Sequence, residues 1–170
     1  MLWRNRGRDA VTVILAGIVA GTLATLVQML LWIAVGEDAW TLLLRDARLT
    51  AALVPGESAL SPSAGFDAGI MLVATGIHFA LSVIYAALLL PVAKRLAIVP
   101  SLLSGAGFGA LLYFVNLHGL TVIFPWFIEA RGGVTLAVHL VFGMAVMLTY
   151  RWLDVHAGRS CATDRWSPYC

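Results

Sequence analysis

The chain has 170 residues, of which 61% are hydrophobic and 12% charged, and its mean hydropathy is +0.90. Soluble domains are about 45–50% apolar and about 25% charged, so this composition excludes an ordinary soluble domain and favours a membrane protein. The net charge of +2, with no cluster of basic residues on one helix, argues against nucleic acid as a partner. The two cysteines, Cys161 and Cys170, lack a metal-ligand spacing and are expected to be free thiols.

The first apolar stretch follows Arg4, Arg6 and Arg8 and is uncharged to Val35. It exceeds the roughly 7–15 residues of a signal-peptide core, so we predict a retained transmembrane helix over residues 11–35. About 25 residues at 1.5 Å each reach roughly 37 Å, enough to cross a 30 Å hydrocarbon core with some tilt. Gly17 and Gly21 form a GxxxG motif, which favours close packing against another helix of the same chain.

The remaining apolar stretches predict three further spans, at residues 69–93, 98–120 and 134–150. Residues 39–54 mix leucines with Arg45, Asp46 and Arg48, which predicts a short amphipathic helix at the membrane interface with Trp40 as an anchor. Ser101, Gly105 and Gly109 repeat the small-residue spacing and predict tight packing of the third span. The expected fold is an all-α polytopic membrane protein: a single four-helix transmembrane domain over residues 1–153, followed by a polar cytoplasmic tail over residues 154–170.

The distribution of Lys and Arg predicts the orientation in the membrane. With the N-terminus inside, three basic residues lie outside (Arg45, Arg48 and Arg131), whereas eight lie inside: Arg4, Arg6, Arg8, Lys94, Arg95, Arg151, Arg159 and Arg165. This excess of basic residues on one side is typical of the cytoplasmic face. We therefore expect a bacterial inner-membrane protein with both termini in the cytoplasm.

Polar side chains recur within the predicted spans, in the middle or outer half of the bundle. The candidate polar membrane cluster consists of Gln28, His78, Ser82, Tyr85, Tyr113, Asn116 and His139. Polar groups in hydrocarbon usually face the bundle interior and are functional candidates. Two interpretations stay open: hydrogen bonds that only join helices, or a site for an ion, a proton, haem or a small solute.

The histidines suggest two of these functions. His78 and His139 lie on different helices and are a candidate ligand pair for haem b, although their predicted depths differ. Histidine also titrates near physiological pH, so the same residues are candidates for proton transfer. No Asp, Glu, Lys or Arg lies within a predicted span, which disfavours ion-coupled transport. No nucleophile–base motif, phosphate loop or metal signature occurs, so no enzymatic activity, catalytic residue or metal site is expected.

The stretch from Tyr113 to Arg131 is the densest in polar and aromatic residues. It predicts a helix that breaks near Gly119, followed by an interfacial or re-entrant aromatic segment over residues 121–128. The candidate outer-interface residues are His118, Trp126, Glu129 and Arg131. We interpret the aromatic residues as an interfacial belt and the two charges as ordinary interface charges.

Three motifs, Asn116 to Thr121, Phe124 to Arg131 and His139 to Gly143, resemble a family of small, uncharacterised four-helix bacterial inner-membrane proteins. Members are sometimes labelled sodium:proline symporters, and the chain is more distantly similar to the inner-membrane protein YagU, which is linked to acid resistance. The resemblance implies a four-helix membrane fold and no catalytic residues. The family carries an aromatic residue at position 118 as often as histidine, which makes His118 the weakest functional candidate of the membrane histidines.

The leading functional hypothesis is a non-enzymatic integral membrane protein in contact with lipids. It would act as an accessory subunit of a larger membrane complex, or as a small homo-oligomeric permeation or stress-response factor. The alternatives are a haem b-binding redox protein that uses His78 and His139, and a proton or small-solute conductor with a histidine-lined site.

Overall fold

The computed structural model describes residues 2–60 and 65–163, with side chains over 7–60 and 65–153. Within these ranges the chain is helical and contains no strand, which confirms the all-α class. Four short turns interrupt the helices: 3₁₀ turns at Gly56–Leu60, Leu120–Val122 and Pro125–Ala130, and a π-helical turn at Val115–Gly119. The five α-helices are α1 (Leu2–Ala34), α2 (Ala39–Ala51), α3 (Ala68–Ala93), α4 (Ile98–Phe114) and α5 (Gly133–Thr163).

In the described part of the chain, four helical stretches are long and apolar enough to cross a membrane: Gly7–Ala34, Ala68–Ala93, Ile98–Val122 and Gly133–Leu153. Their most apolar windows have mean hydropathies of 1.8 to 2.3, yet at most 39% of any window is buried inside the protein. Large apolar side chains therefore cover the outside of the bundle, as Leu30, Leu72 and Leu103 do. An outer surface of this kind is stable in lipid and would be unstable in water.

Two helices extend beyond the predicted spans, and the third span changes its helix type before its predicted end. Helix α1 begins at Leu2, because the basic N-terminal residues continue the helix beyond its apolar part. Helix α5 continues to Thr163 and so includes the first part of the predicted tail; residues 164–170, with Cys170, lie outside the described residues, as does the side chain of Cys161. The third span changes from an α-helix to a π turn at Val115, close to the predicted break.

Glycine residues bring α4 and α5 into backbone contact. A Cβ atom added to Gly143 would collide with the carbonyl group of Gly105, and one added to Gly109 would collide with the carbonyl group of His139. Side-chain-free surfaces of this kind let two membrane helices approach closely. The tight packing predicted from the Ser101, Gly105 and Gly109 spacing is confirmed.

A second glycine contact joins α1 to α3. A Cβ atom on Gly17 would lie 2.7 Å from the Cα atom of Val83, and one on Gly21 would lie 2.8 Å from Ser82 Oγ. The GxxxG motif thus serves packing within the chain, as predicted. Gly21 also lies against His78 and Ser82, the polar residues of α3. The two glycines therefore set the distance between α1 and α3 at the level of these polar side chains.

Helix α5 lies at the centre of the packing, against α4 on one side and α1 on the other. Its buried residues Val146, Met147 and Tyr150 form much of the core, and the Tyr150 hydroxyl donates a hydrogen bond to the Ala86 carbonyl of α3 at 2.6 Å. Helix α3 packs closely on α1 but meets α4 only loosely. Room therefore remains inside the bundle beside α3.

Helix α2 covers one end of the bundle, which we call the covered end. The chain enters and leaves α2 through Gly36 and Gly56, whose φ angles of 82° and 72° favour glycine. Asp38 begins the helix, since its carboxylate accepts hydrogen bonds from the amides of Trp40 and Thr41 at 3.0 and 3.3 Å. The helix lies mainly against α3, and the Pro125–Ala130 turn contacts it from the α4 side.

Candidate functional site

A cavity of about 470 Å³ lies inside the covered end of the bundle. This volume falls within the range of about 300–1,000 Å³ that is typical of small-molecule sites. Residues from α1, α2, α3, α4 and α5 line it, together with the turns that follow α4. Most of its wall is apolar, but eleven of the lining residues are polar: Thr22, Thr25, Gln28, Asp46, Thr50, Thr75, His78, Ser82, Tyr85, Thr135 and His139.

The roof of the cavity carries a carboxylate from α2. Asp46 Oδ2 accepts a hydrogen bond from Gln28 Nε2 at 3.0 Å, while Oδ1 accepts from Arg45 Nε and Nη2 at 3.0 and 2.8 Å. The Asp46 side chain is only 22% exposed. Burial raises the pKa of the Asp46 carboxyl above its ordinary value, and the Arg45 guanidinium opposes this shift.

The two histidines line the same cavity, His78 from α3 and His139 from α5, although their predicted depths differ. His139 Nδ1 lies 2.7 Å from the Thr135 carbonyl oxygen of its own helix, and His78 Nε2 lies 3.3 Å from the Gly21 carbonyl oxygen of α1. A carbonyl oxygen can only accept a hydrogen bond, so each of these nitrogens carries the proton. In the neutral rings, His139 Nε2 and His78 Nδ1 are then the hydrogen-bond acceptors.

Ser82 and Tyr85 complete the α3 side, on the helix face predicted from their spacing. The Ser82 hydroxyl donates to the His78 carbonyl at 2.8 Å, and the Tyr85 hydroxyl donates to Asn116 Oδ1 at 3.2 Å. The Tyr85 ring packs edge-on against Phe108 and Phe142, with centroids 6.3 and 6.5 Å away. Tyr85 therefore fills the loose contact between α3 and α4 and closes the floor of the cavity.

Five of the seven residues of the polar membrane cluster reach the cavity, and two do not. Tyr113 is buried beside it: its ring lies 5.8 Å from that of His139, and its hydroxyl accepts a hydrogen bond from the Gly132 amide at 3.3 Å. Asn116, on the π turn, contacts the site only through Tyr85. Both residues have a supporting role, because they hold cavity residues in place.

The outer-interface residues have separate roles. Trp126 Nε1 donates a hydrogen bond to the Leu49 carbonyl at 3.1 Å and so attaches the Pro125–Ala130 turn to α2. Arg131 donates to the Leu117 carbonyl at 2.6 Å and to Thr121 Oγ1 at 2.9 Å, which holds together the turns that follow α4. His118 and Glu129 are exposed, and the His118 ring lies 5.4 Å from those of Tyr113 and Phe114. None of the four lines the cavity.

Replacing Trp126 with phenylalanine is expected to loosen the covered end without unfolding the bundle. The change removes one hydrogen bond to the buried Leu49, worth about 1 kcal/mol, and leaves an aromatic ring beside Phe124. Hydrogen–deuterium exchange measured by mass spectrometry should show faster exchange in α2. The exposed Trp40, which stacks on Phe66, provides the control Trp40→Phe. Unchanged exchange of α2 in Trp126→Phe would show that the indole bond does not hold α2 in place.

The cavity is open on the side of α1 and α3. Its lining residues Thr22, Leu26 and Thr75 are exposed on the bundle surface. Helical rise places Leu26 about 12 Å, and Thr75 about 10 Å, from the covered ends of their helices, well within the apolar spans. A molecule that enters here would arrive from the hydrocarbon side.

The sequence did not indicate Asp46 or the threonines as site residues. Asp46 looks like a charge on the solvated face of an amphipathic helix, but α2 turns that residue toward Gln28. Leu43, Asp46, Ala47 and Thr50 share one helix face by their spacing, and all four line the cavity. This mixed polar and apolar face is the one feature of the sequence that could have indicated Asp46 as a site residue. It does so only once α2 is known to lie across the bundle.

Metal binding finds little support in the geometry. Within the described parts of the chain, no three His, Cys, Asp or Glu residues lie close enough to hold a metal ion. A haem needs fewer ligands, and His139 suits that role, because its proton sits on Nδ1 and leaves Nε2 free. His78 uses Nε2 toward Gly21, so only one of the two predicted ligands is arranged for iron.

These features define an α-helical polytopic membrane protein with a polar-lined cavity under a helix that covers one end of its bundle. No protein-family model, curated protein or solved structure matches the chain.

Proposed function

We propose that this protein is a non-enzymatic integral membrane protein that takes up a small molecule into the cavity beneath α2. The observation that supports this most strongly is the convergence of Gln28, Asp46, His78 and His139, from four different helices, on one cavity of ligand size. Side chains that served only to join helices would fill the space between them. Here they surround an open volume with a side entrance.

Among the functions expected from the sequence, an open cavity with a side entrance favours a permeation or stress-response factor over an accessory subunit. No Asp, Glu, Lys or Arg lies within the spans predicted from the sequence, which disfavours ion-coupled transport, but the carboxylate of Asp46 reaches the cavity from α2. The cavity therefore has an ionisable group without a charge in a transmembrane helix. A homo-oligomer in the membrane remains part of the proposal, since four spans form a small bundle.

We place the protein in the bacterial inner membrane, with both termini in the cytoplasm. The excess of basic residues supports this orientation: the segments assigned to the inside hold eight Lys and Arg residues, and those assigned to the outside hold three. The covered end would then face the periplasm. The cavity would receive its ligand from the outer half of the bilayer or from the periplasmic interface.

Haem b is a second candidate ligand, supported by His139 alone. His139 would hold the haem iron through its free Nε2, and the haem would supply one-electron redox chemistry. An absorption spectrum of the purified protein separates the two candidates. A Soret band that disappears in His139→Ala would establish haem binding and replace the small-solute proposal.

The proposal is tested by native mass spectrometry of the protein purified in mild detergent from its own membrane. We expect a fraction of the chains to carry a bound small molecule other than detergent. Ala74 is buried and lines the cavity, so Ala74→Phe should fill the volume and remove this additional mass. Ala87→Phe, on the exposed side of the same helix, is the matched control and should retain it.

Two results would contradict the proposal. One is a purified protein without any bound small molecule. The other is an additional mass that persists in Ala74→Phe, because the molecule would then bind elsewhere on the protein. A second polypeptide present in stoichiometric amount would instead support an accessory subunit.

A further inference from the structure

The hydroxyl groups around the cavity offer mainly hydrogen-bond acceptors to a ligand. The protons of Thr25, Ser82 and Tyr85 are donated to Gly21 O, His78 O and Asn116 Oδ1 at 3.2, 2.8 and 3.2 Å. Each of these oxygens therefore presents only lone pairs to the cavity. The remaining threonine hydroxyls can donate or accept a hydrogen bond, so they favour neither a donor ligand nor an acceptor ligand.

The histidines add two more acceptors. Because the proton of His139 faces Thr135 O and that of His78 faces Gly21 O, the neutral rings keep their lone pairs on His139 Nε2 and His78 Nδ1. No described residue makes a hydrogen bond to either nitrogen. They are free to accept a hydrogen bond from a ligand.

The roof supplies a carboxylate, and Asp46 is the sole Asp or Glu among the lining residues that the structure describes. The Asp46 carboxylate has about four lone-pair sites, of which Arg45 and Gln28 use three. One site on Oδ2 is left for a further donor. Among the lining residues that the structure describes, none is Lys or Arg. The nearest cation, Arg45, is bound to Oδ1, so the free site on Oδ2 is the one open to an ammonium group.

The rest of the wall suits an apolar body with a positive head. Phe79, Tyr85, Phe127 and Phe142 line the cavity, and aromatic faces attract organic cations. The side entrance between exposed residues of α1 and α3 gives access from hydrocarbon, which an amphipathic molecule can reach. An inorganic ion fits poorly, because the described residues contain no cluster of three His, Cys, Asp or Glu ligands.

We propose that the ligand of this cavity is an amphipathic organic amine, bound as its ammonium ion near Asp46 with its apolar part among the aromatic rings. This rests on the proposed function, because it names the ligand class of the same cavity. The excess of acceptors and the single carboxylate distinguish an amine from a carboxylic acid or a phosphate ester. Such anions would find no Lys or Arg in the described cavity wall.

The experiment is isothermal titration calorimetry of the purified protein in mild detergent at pH 7 with three probes of similar size. They are 2-phenylethylamine, 2-phenylethanol and phenylacetate, which differ in the charge of one end. The amine should bind at one saturable site, about tenfold or more tightly than the alcohol, and phenylacetate should not bind. Asp46→Asn should weaken amine binding about tenfold and leave alcohol binding unchanged. Glu37→Gln, an exposed acid just before α2, should change neither.

The controls separate failure of this inference from failure of the proposed function. Equal binding of the three probes, abolished by Ala74→Phe and retained in Ala87→Phe, would overturn the amine inference and support the cavity as a binding site. Tighter binding of phenylacetate, again abolished by Ala74→Phe and retained in Ala87→Phe, would also overturn the amine inference and support the cavity as a binding site. Amine binding that survives Ala74→Phe would lie outside the cavity and overturn both. If no probe binds, the amine inference fails, and native mass spectrometry decides on the cavity.

Discussion

Replacing Gly143 with alanine is expected to destabilise the bundle strongly, although the change adds a single methyl group. An added Cβ atom would overlap the carbonyl group of Gly105 and approach the Gly109 nitrogen. These are backbone atoms of α4, so no side chain can rotate away, and the two helices must separate. Overpacking of this kind costs about 1–3 kcal/mol, and we expect a loss near the upper figure because backbone meets backbone.

The matched control is Gly107→Ala on α4, where an added Cβ atom meets nothing within 4 Å. Alanine in an exposed helix position is more stable than glycine by about 0.5–1 kcal/mol, so the two glycines should respond with opposite signs. Unfolding by SDS, followed by circular dichroism in mild detergent, measures both variants. Equal stability of Gly143→Ala and the parent chain would show that α4 and α5 do not touch at Gly105.

Replacing Arg131 with methionine is expected to have the second largest effect on stability. The guanidinium group donates to the Leu117 carbonyl and to Thr121 Oγ1, and Leu117 and Thr121 are both buried, at 5% and 9% exposure. A hydrogen bond from a charged group contributes about 1.5–3 kcal/mol. Because Arg131 is exposed to solvent, we expect its two bonds together to contribute little more than the lower value for one such bond. The expected loss is about 2 kcal/mol in the same unfolding assay.

Glu129→Gln is the control for the charge change, because Glu129 is exposed in the same turn and lines no site. A surface substitution of this kind should stay within about 0.5 kcal/mol of the parent chain. If Arg131→Met and Glu129→Gln behave alike, Arg131 is the ordinary interface charge that the sequence suggests. The hydrogen bonds of Arg131 to Leu117 and Thr121 argue instead that only Arg131→Met is destabilising.

Five residues of the predicted polar membrane cluster line the cavity, and the other two, Tyr113 and Asn116, support residues that line it. Spacing along α3 placed His78, Ser82 and Tyr85 on one face, since residues three and four apart share a helix face. Spacing could not decide whether Tyr113 and Asn116 face the cavity or brace it, because that depends on the rotation of α4 and on the π turn at Val115. The predicted difference in depth of the two histidines does not keep them out of one cavity, because the lining spans several helical turns.

The sequence by itself determined the class of the protein and the approximate positions of its spans. Long apolar runs allow few other structures, because a backbone in lipid must satisfy its hydrogen bonds within a helix. It also indicated the packing glycines of α1 and α4, since glycines at a spacing of four form a smooth stripe on any helix, but it did not indicate Gly143, their partner on α5. The tertiary structure alone decided that α2 lies across the bundle and turns Asp46 toward Gln28. It also decided that α3 stands apart from α4, which leaves a cavity where side chains from distant parts of the chain meet. These features depend on the packing of whole helices against one another, and no local pattern of residues specifies it.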